Sequence, residues 1–241
     1  MNRLLEKISS LFDESKKGIG FGSKTKIKNS RKVLLFQQLK PLSPVYEKFI
    51  DGVIYKDLEF DKLKKLNNTN LLNGIFFPDR LIKLEKLENC DFDWAVIHDL
   101  NLSSEFLLSD KISSGFYIDS KLEDSTYDII NNIPFSFVVI DLISKPKYET
   151  LSGIFDLTEI ISNIDNNIIL KLDYIPSEKA IELLYSLGVV GIILDSDAHN
   201  EDKFKILDKY LKALKSDAKK KPIVYPNISN SMDLLPYDDE D

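Results

Sequence analysis

Eight short runs rich in β-branched and aromatic residues recur along this chain, each followed by a stretch with helical spacing. Strands that alternate with helices run parallel, because each helix carries the chain back to the starting edge, and right-handed crossovers wind such units in one direction. Eight such units within 241 residues bring the last strand beside the first. The pattern predicts an α/β protein with a single (β/α)8 barrel, a fold that typically takes ~250 residues. A doubly wound open sheet is the alternative, but it would place a Gly-rich turn after an early strand, and none follows the early strands here.

The predicted strand and helix pairs are 33–38 with 44–50, 53–55 with 61–66, 74–77 with 80–88, 94–98 with 103–108, and 115–119 with 124–133. Residues 135–141 with a helix near 157–164, 168–173 with 178–187, and 190–195 with 201–215 complete the set. Ser177 suits an N-cap and Gly188 a helix C-terminus, and Phe204, Leu207, Leu211 and Leu214 give the last helix its buried stripe.

Ahead of the strands, residues 2–17 place Leu4, Leu5, Ile8, Leu11 and Phe12 on one face, which predicts an amphipathic N-terminal helix packing on the barrel. Gly18-Ile19-Gly20-Phe21-Gly22 breaks it. The expected organisation is a helix and Gly-rich loop over 1–31, the barrel over 32–218, and an irregular, partly disordered C-terminal tail over 219–241, where Pro222, Pro226 and Pro236 precede an acidic end.

Composition excludes several classes of function. No apolar run approaches the ~18 residues that cross a bilayer, and there is no hydrophobic signal core, so a cytoplasmic protein without a membrane partner is expected. A net charge of -7 argues against a nucleic-acid surface. One cysteine and two histidines exclude a cysteine cluster and leave little for a zinc site.

An active site in such a barrel lies at the C-terminal ends of the strands, where the chain is polar: Gln37 and Gln38, Arg80, His98, Asp119, Asp141, Asp173 and Asp195. Alternation sharpens this. In the seventh strand Leu170 and Leu172 must face the helices, so Lys171 and Asp173 face inward. By the same parity Asp141 goes with Val139, Asp195 with Ile193, and Asp119 with Tyr117. Four carboxylates and a lysine then converge on one end of the barrel.

Two mechanisms fit that set. Asp119, Asp141 and Asp195 could hold Mg²⁺ or Mn²⁺, which take hard oxygen ligands and polarise carbonyls. Alternatively Lys171 acts as Schiff-base nucleophile or general base, with Asp141 or Asp173 as proton carrier. Gln37, Arg80 and His98 are the candidate substrate-binding residues. The acidic run from Asp195 to Asp202 reads as capping of the last helix rather than a calcium loop, since it lacks the required glycine and terminal glutamate. The connections after strands seven and eight have no glycine, which argues against the common phosphate-binding barrel.

The final unit, Leu187-Gly188-Val189-Val190-Gly191-Ile192-Ile193-Leu194-Asp195, resembles the last unit of many biosynthetic barrel enzymes. The layout of N-terminal helix, Gly20-Phe21-Gly22 and then strands resembles small prokaryotic members of the TIM-barrel superfamily with no established activity. The resemblance implies the fold and assigns no functional residue. By fold analogy the expected function is a lyase or isomerase acting on a small carbonyl-containing metabolite. Two other readings stay open: a non-catalytic barrel serving as a binding or assembly component, and a glycosidase using Asp99 with Asp173.

Overall fold

A computed structural model describes residues 2–13, 31–40, 43–56, 70–77, 84–98, 104–141, 149–195 and 200–214. Eight parallel strands, β1 (Leu34–Leu39), β2 (Gly52–Tyr55), β3 (Leu72–Phe76), β4 (Trp94–Ile97), β5 (Ser113–Ile118), β6 (Phe137–Ile140), β7 (Asn167–Leu172) and β8 (Val189–Asp195), close into a barrel in sequence order. The closing pair aligns Leu34 with Gly191 and Gln38 with Asp195. The helices are α1 (Arg3–Asp13), α2 (Leu84–Glu88), α3 (Asp124–Asn132), α4 (Leu151–Ser162), α5 (Glu178–Ser186) and α6 (Glu201–Ala213).

Local chemistry sets the helix ends. Ser177 accepts from Ala180 N at the start of α5, and Asn200 accepts from Lys203 N at the start of α6. Gly188 follows α5 with φ of 96°, a conformation that glycine adopts without a Cβ penalty. Two expected helices are short 3-10 segments, Glu47–Phe49 and Ser104–Leu108. Helix α4 starts six residues before the expected 157, because Thr150 caps it by accepting from Gly153 N. The helix expected over 61–66, the Gly-rich segment 18–22 and the tail 219–241 lie outside the described residues. Among those described, no helix is long and apolar enough to cross a membrane.

Alternation along the strands separates two cores. Leu35, Val53, Ile75, Val138, Leu170 and Leu194 point outward and pack with Leu157, Ile181, Phe204 and Leu207 from the helices. Leu34, Phe36, Ile54, Trp94, Phe137, Val139, Ile169 and Ile193 fill the barrel interior. The interior is built in layers to which alternate strands contribute. The strand registers put Gly52, Trp94, Phe137 and Gly191 in one layer, and Phe36, Gly74, Gly115 and Ile169 in the next. Large rings thus sit over glycines. A Cβ on Gly74 would run into the Trp94 indole, and one on Gly115 into the Phe137 ring.

Helix α1 belongs to this interior. Leu4 and Ile8 join the inner cluster at 0% and 3% exposure. Asn2 Nδ2 donates to the carbonyls of Asp93 and Lys111, Arg3 pairs with Asp93 at 3.1 Å, and Lys7 reaches Asp51 at 3.8 Å. Asp51, Asp93 and Lys111 all precede strands, so α1 closes the N-terminal end of the barrel and leaves the other end as the mouth. Leu4→Ala is expected to lower stability by about 2–5 kcal/mol, read as a lower urea midpoint. A cost below about 0.5 kcal/mol, the level of a surface change, would show that α1 lies outside the core.

Candidate functional site

Above the apolar layers the registers bring Gln38, Phe76, Tyr117 and Lys171 to one level, and His98, Asp141 and Asp195 at the ends of β4, β6 and β8 to the next. Asp141 follows β6 and extends its ladder, with its N–H donating to Ile118 O at 2.7 Å. That bond fixes the inward direction of its side chain, which is only 1% exposed.

Lys171 Nζ stands 2.5 Å from Asp141 Oδ2, and the Tyr117 hydroxyl donates to the same oxygen. The ammonium lies 6.0 Å from the ring centres of both Phe76 and Tyr117, whose rings meet edge to face at 5.8 Å. His98 covers the outer side of Tyr117, with centroids 5.2 Å apart. Two charges are therefore held out of water with aromatic walls around them, a costly arrangement that their mutual attraction and the phenol hydrogen bond offset. Tyr117 is pushed well above the ordinary phenol value, first by burial and then by the hydrogen bond and negative charge of Asp141. It therefore serves as a neutral hydrogen-bond donor.

The rest of the set is arranged around this core. Gln38 Nε2 donates to Asp195 Oδ2 at 2.9 Å and holds that carboxylate at the mouth. Asp119 and His98 lie at the rim, 4.0 Å apart and more than half exposed, where an ion pair contributes little. Asp173 is exposed beyond Lys171.

Gln37, expected to bind substrate, lies elsewhere. It points away from the mouth, with Nε2 donating to Pro44 O and Oε1 accepting from Tyr46 N, so both ends of its amide are used in anchoring the loop after β1. Gln38, one residue on, is the inward residue. Arg80, Asp99 and His199 lie outside the described residues. The metal set also fails to assemble. Among the described residues no group of three or more His, Cys, Asp or Glu could hold a metal ion. The Lys171 ammonium occupies the place beside Asp141 that a cation would need. Asp119, Asp141 and Asp195 thus do not fit Mg²⁺ or Mn²⁺.

Sequence reasoning missed Tyr117 as a polar member of the site. Its inward parity was evident, but a tyrosine among apolar neighbours reads as wall, and only the proximity of Asp141 across the β5–β6 pair gives its hydroxyl a role.

Neither a protein-family model nor a curated protein matches the chain. Solved structures do match. Thiamine phosphate pyrophosphorylase from Pyrococcus furiosus superposes with a TM-score of 0.55 at 12% identity, over 76% of this chain and 96% of its own. A mutant tryptophan synthase α-subunit from the same organism gives 0.52 at 12% identity, over 75% and 97%. The chain is a TIM barrel. At this identity the likeness shows the fold alone.

The Tyr117 proton has a measurable consequence. The folded protein holds it more tightly than the unfolded chain, so the associated stability is fully present below the ordinary phenol value of 10.0 and is lost as pH rises above it. Tyr117→Phe should show a shallower loss of stability than the parent above that pH in urea titrations. Parallel profiles for the two proteins would contradict the assignment.

Proposed function

We propose that the protein is a lyase or isomerase acting on a small carbonyl-containing metabolite at this mouth. The observation that carries the reading is the Lys171–Asp141 pair with Tyr117, a fixed cation walled off from water at the catalytic end of the barrel. The neighbours named as a synthase subunit and a pyrophosphorylase support an enzyme on fold grounds only.

A substrate carbonyl oxygen would accept a hydrogen bond from one of the Lys171 N–H groups not used by Asp141. When the bond next to the carbonyl breaks, negative charge moves onto that oxygen, and a preorganised cation in a dry site stabilises it far more than water would. Asp141 positions the ammonium, and Tyr117 fixes the Asp141 oxygen that does so. Asp195, held by Gln38, is the base that takes the proton from carbon, with Asp173 the next carboxylate along the rim. In an isomerase the proton returns to the neighbouring atom; in a lyase the leaving group departs and carries it away. Because the ammonium is committed to an ion pair, its role is electrophilic, and the ion pair disfavours a Schiff-base nucleophile.

The test is proton exchange in D₂O with small ketones and 2-oxo acids, followed by proton NMR. Protein-dependent deuterium incorporation next to the carbonyl is expected, reduced by roughly 10²–10³-fold in Lys171→Met, the size of effect seen when one oxyanion donor is removed. Exchange that survives undiminished in Lys171→Met, or no exchange with any member of the panel, contradicts the reading.

A further inference from the structure

The crossover from β1 to β2 carries the three-residue turn Glu47–Phe49 where a barrel of this kind places a helix. The turn leans on α6 through the rings of Tyr46 and Phe204, whose centroids are 5.1 Å apart. Beside it a groove of about 770 Å³ runs along α6, with Phe49, Ile206 and Ala213 among Lys205, Lys209 and Lys212. Ile206 is 44% exposed, so the groove presents apolar surface to solvent between charged side chains, the usual mark of a contact surface.

The charges around the groove select what could fill it. Asp208 lines it but is buried and shared between Lys212 at 2.6 Å and Arg31 at 3.4 Å. Glu47 and Lys48 on the turn offset each other, and Asp202 stands with Glu201 at the start of α6. Lys205 and Lys209, one turn apart further along the helix, make no ion pair among the described residues. Apolar surface beside two such ammonium groups fits a segment that combines apolar side chains with acids.

Three long segments of the chain lie outside the described residues: 14–30, 57–69 and 215–241. The first enters beside the groove, since Arg31 touches Asp208, but it sets Lys16, Lys17, Lys24, Lys26 and Lys28 against Glu14 alone. The second is tied at its ends to β2 and β3, which β1 separates from β8 and its following helix α6. The third has the required chemistry in residues 232–241: Met232, Leu234, Leu235 and Tyr237 with Asp233, Asp238, Asp239, Glu240 and Asp241, and no base. Residues 215–231 join it to Leu214, next to Ala213 in the groove. A flexible tether of that length spans roughly 20–25 Å, comparable with the ~20 Å length of α6. Tethering also raises the local concentration of the segment to about the millimolar range, so a weak contact suffices to hold it.

We propose that residues 232–241 dock in this groove of their own chain, with Leu234, Leu235 and Tyr237 against Phe49 and Ile206 and the acids beside Lys205 and Lys209. The apolar contact holds the segment and the charges choose it over 14–30. The docked segment covers the flank that the short β1–β2 crossover leaves open, and its presence is independent of the use proposed for the mouth.

Carbodiimide coupling of the intact protein, read by peptide mass spectrometry, tests this, because it joins a lysine to a carboxylate in contact with it. Lys205 and Lys209 should couple to Asp238, Asp239, Glu240 or Asp241, and in an equal mixture of ¹⁴N- and ¹⁵N-labelled protein the joined peptides should carry the same isotope. Leu234→Ser with Leu235→Ser keeps every charge and should lower the yield about tenfold, since two leucines lose their buried surface. Ile206→Ser should lower it from the groove side. A yield that survives the leucine changes would show a contact of charges alone and overturn the docking. Mixed-isotope pairs would make a second copy the occupant, and no coupling at Lys205 or Lys209 would leave the groove without this segment; either result contradicts the proposal.

Discussion

Closure of the sheet is the constraint on which everything else depends. Once eight strands meet edge to edge, every second residue must share one narrow interior, and large side chains fit only where a neighbour is absent. Phe36, Trp94 and Phe137 fill the lower half because Gly52, Gly74, Gly115 and Gly191 make room for them, with ring centroids of 4.8 Å for Phe36–Trp94 and 5.6 Å for Trp94–Phe137. Helix α1 covers the remaining opening with Leu4 and Ile8. Polar inward residues gather at the opposite end, where Gln38, Asp141 and Lys171 are found.

The Lys171–Asp141 pair is poor value as a stabilising device. Desolvating two charges costs several kcal/mol per ion before their attraction is counted, and a well-packed apolar replacement is often as stable or more so. The barrel carries the pair at the end where barrels do chemistry, with an oxygen of Asp141 left unmatched. The proposed carbonyl site gives a reason for that placement. Tyr117 fits the same view, since its hydroxyl reinforces the one Asp141 oxygen that already holds the ammonium.

How much of this could be read from the chain depended on contrast between the two faces of each strand. In β7 a lysine stands between Leu170 and Leu172, so its inward direction was unambiguous, and the same parity placed Asp141 and Asp195. In β1 the run Leu34-Leu35-Phe36 is apolar on both faces, so nothing in it distinguishes Gln37 from Gln38, and Gln37, expected to bind substrate, faces outward instead. The caps at Ser177 and Gly188 were legible because they depend on local backbone chemistry. The start of α4 was obscured by Gly153 inside a helix. The metal set failed for a different reason: convergence on one end of a barrel does not bring carboxylates within coordinating distance, and the sequence could not show that Asp141 was already paired with Lys171.

The most direct test compares stability and carbonyl exchange in two variants, Asp141→Asn alone and Tyr117→Phe with Asp141→Leu and Lys171→Met together. The single change leaves a buried ammonium unmatched and should cost about 3–5 kcal/mol, whereas the triple change removes both charges of the pair and the unmatched Asp141 oxygen together and should return within about 1 kcal/mol of the parent while abolishing exchange. A triple variant as unstable as the single one would show that the network exists to hold the barrel together, and would contradict its assignment to a functional site.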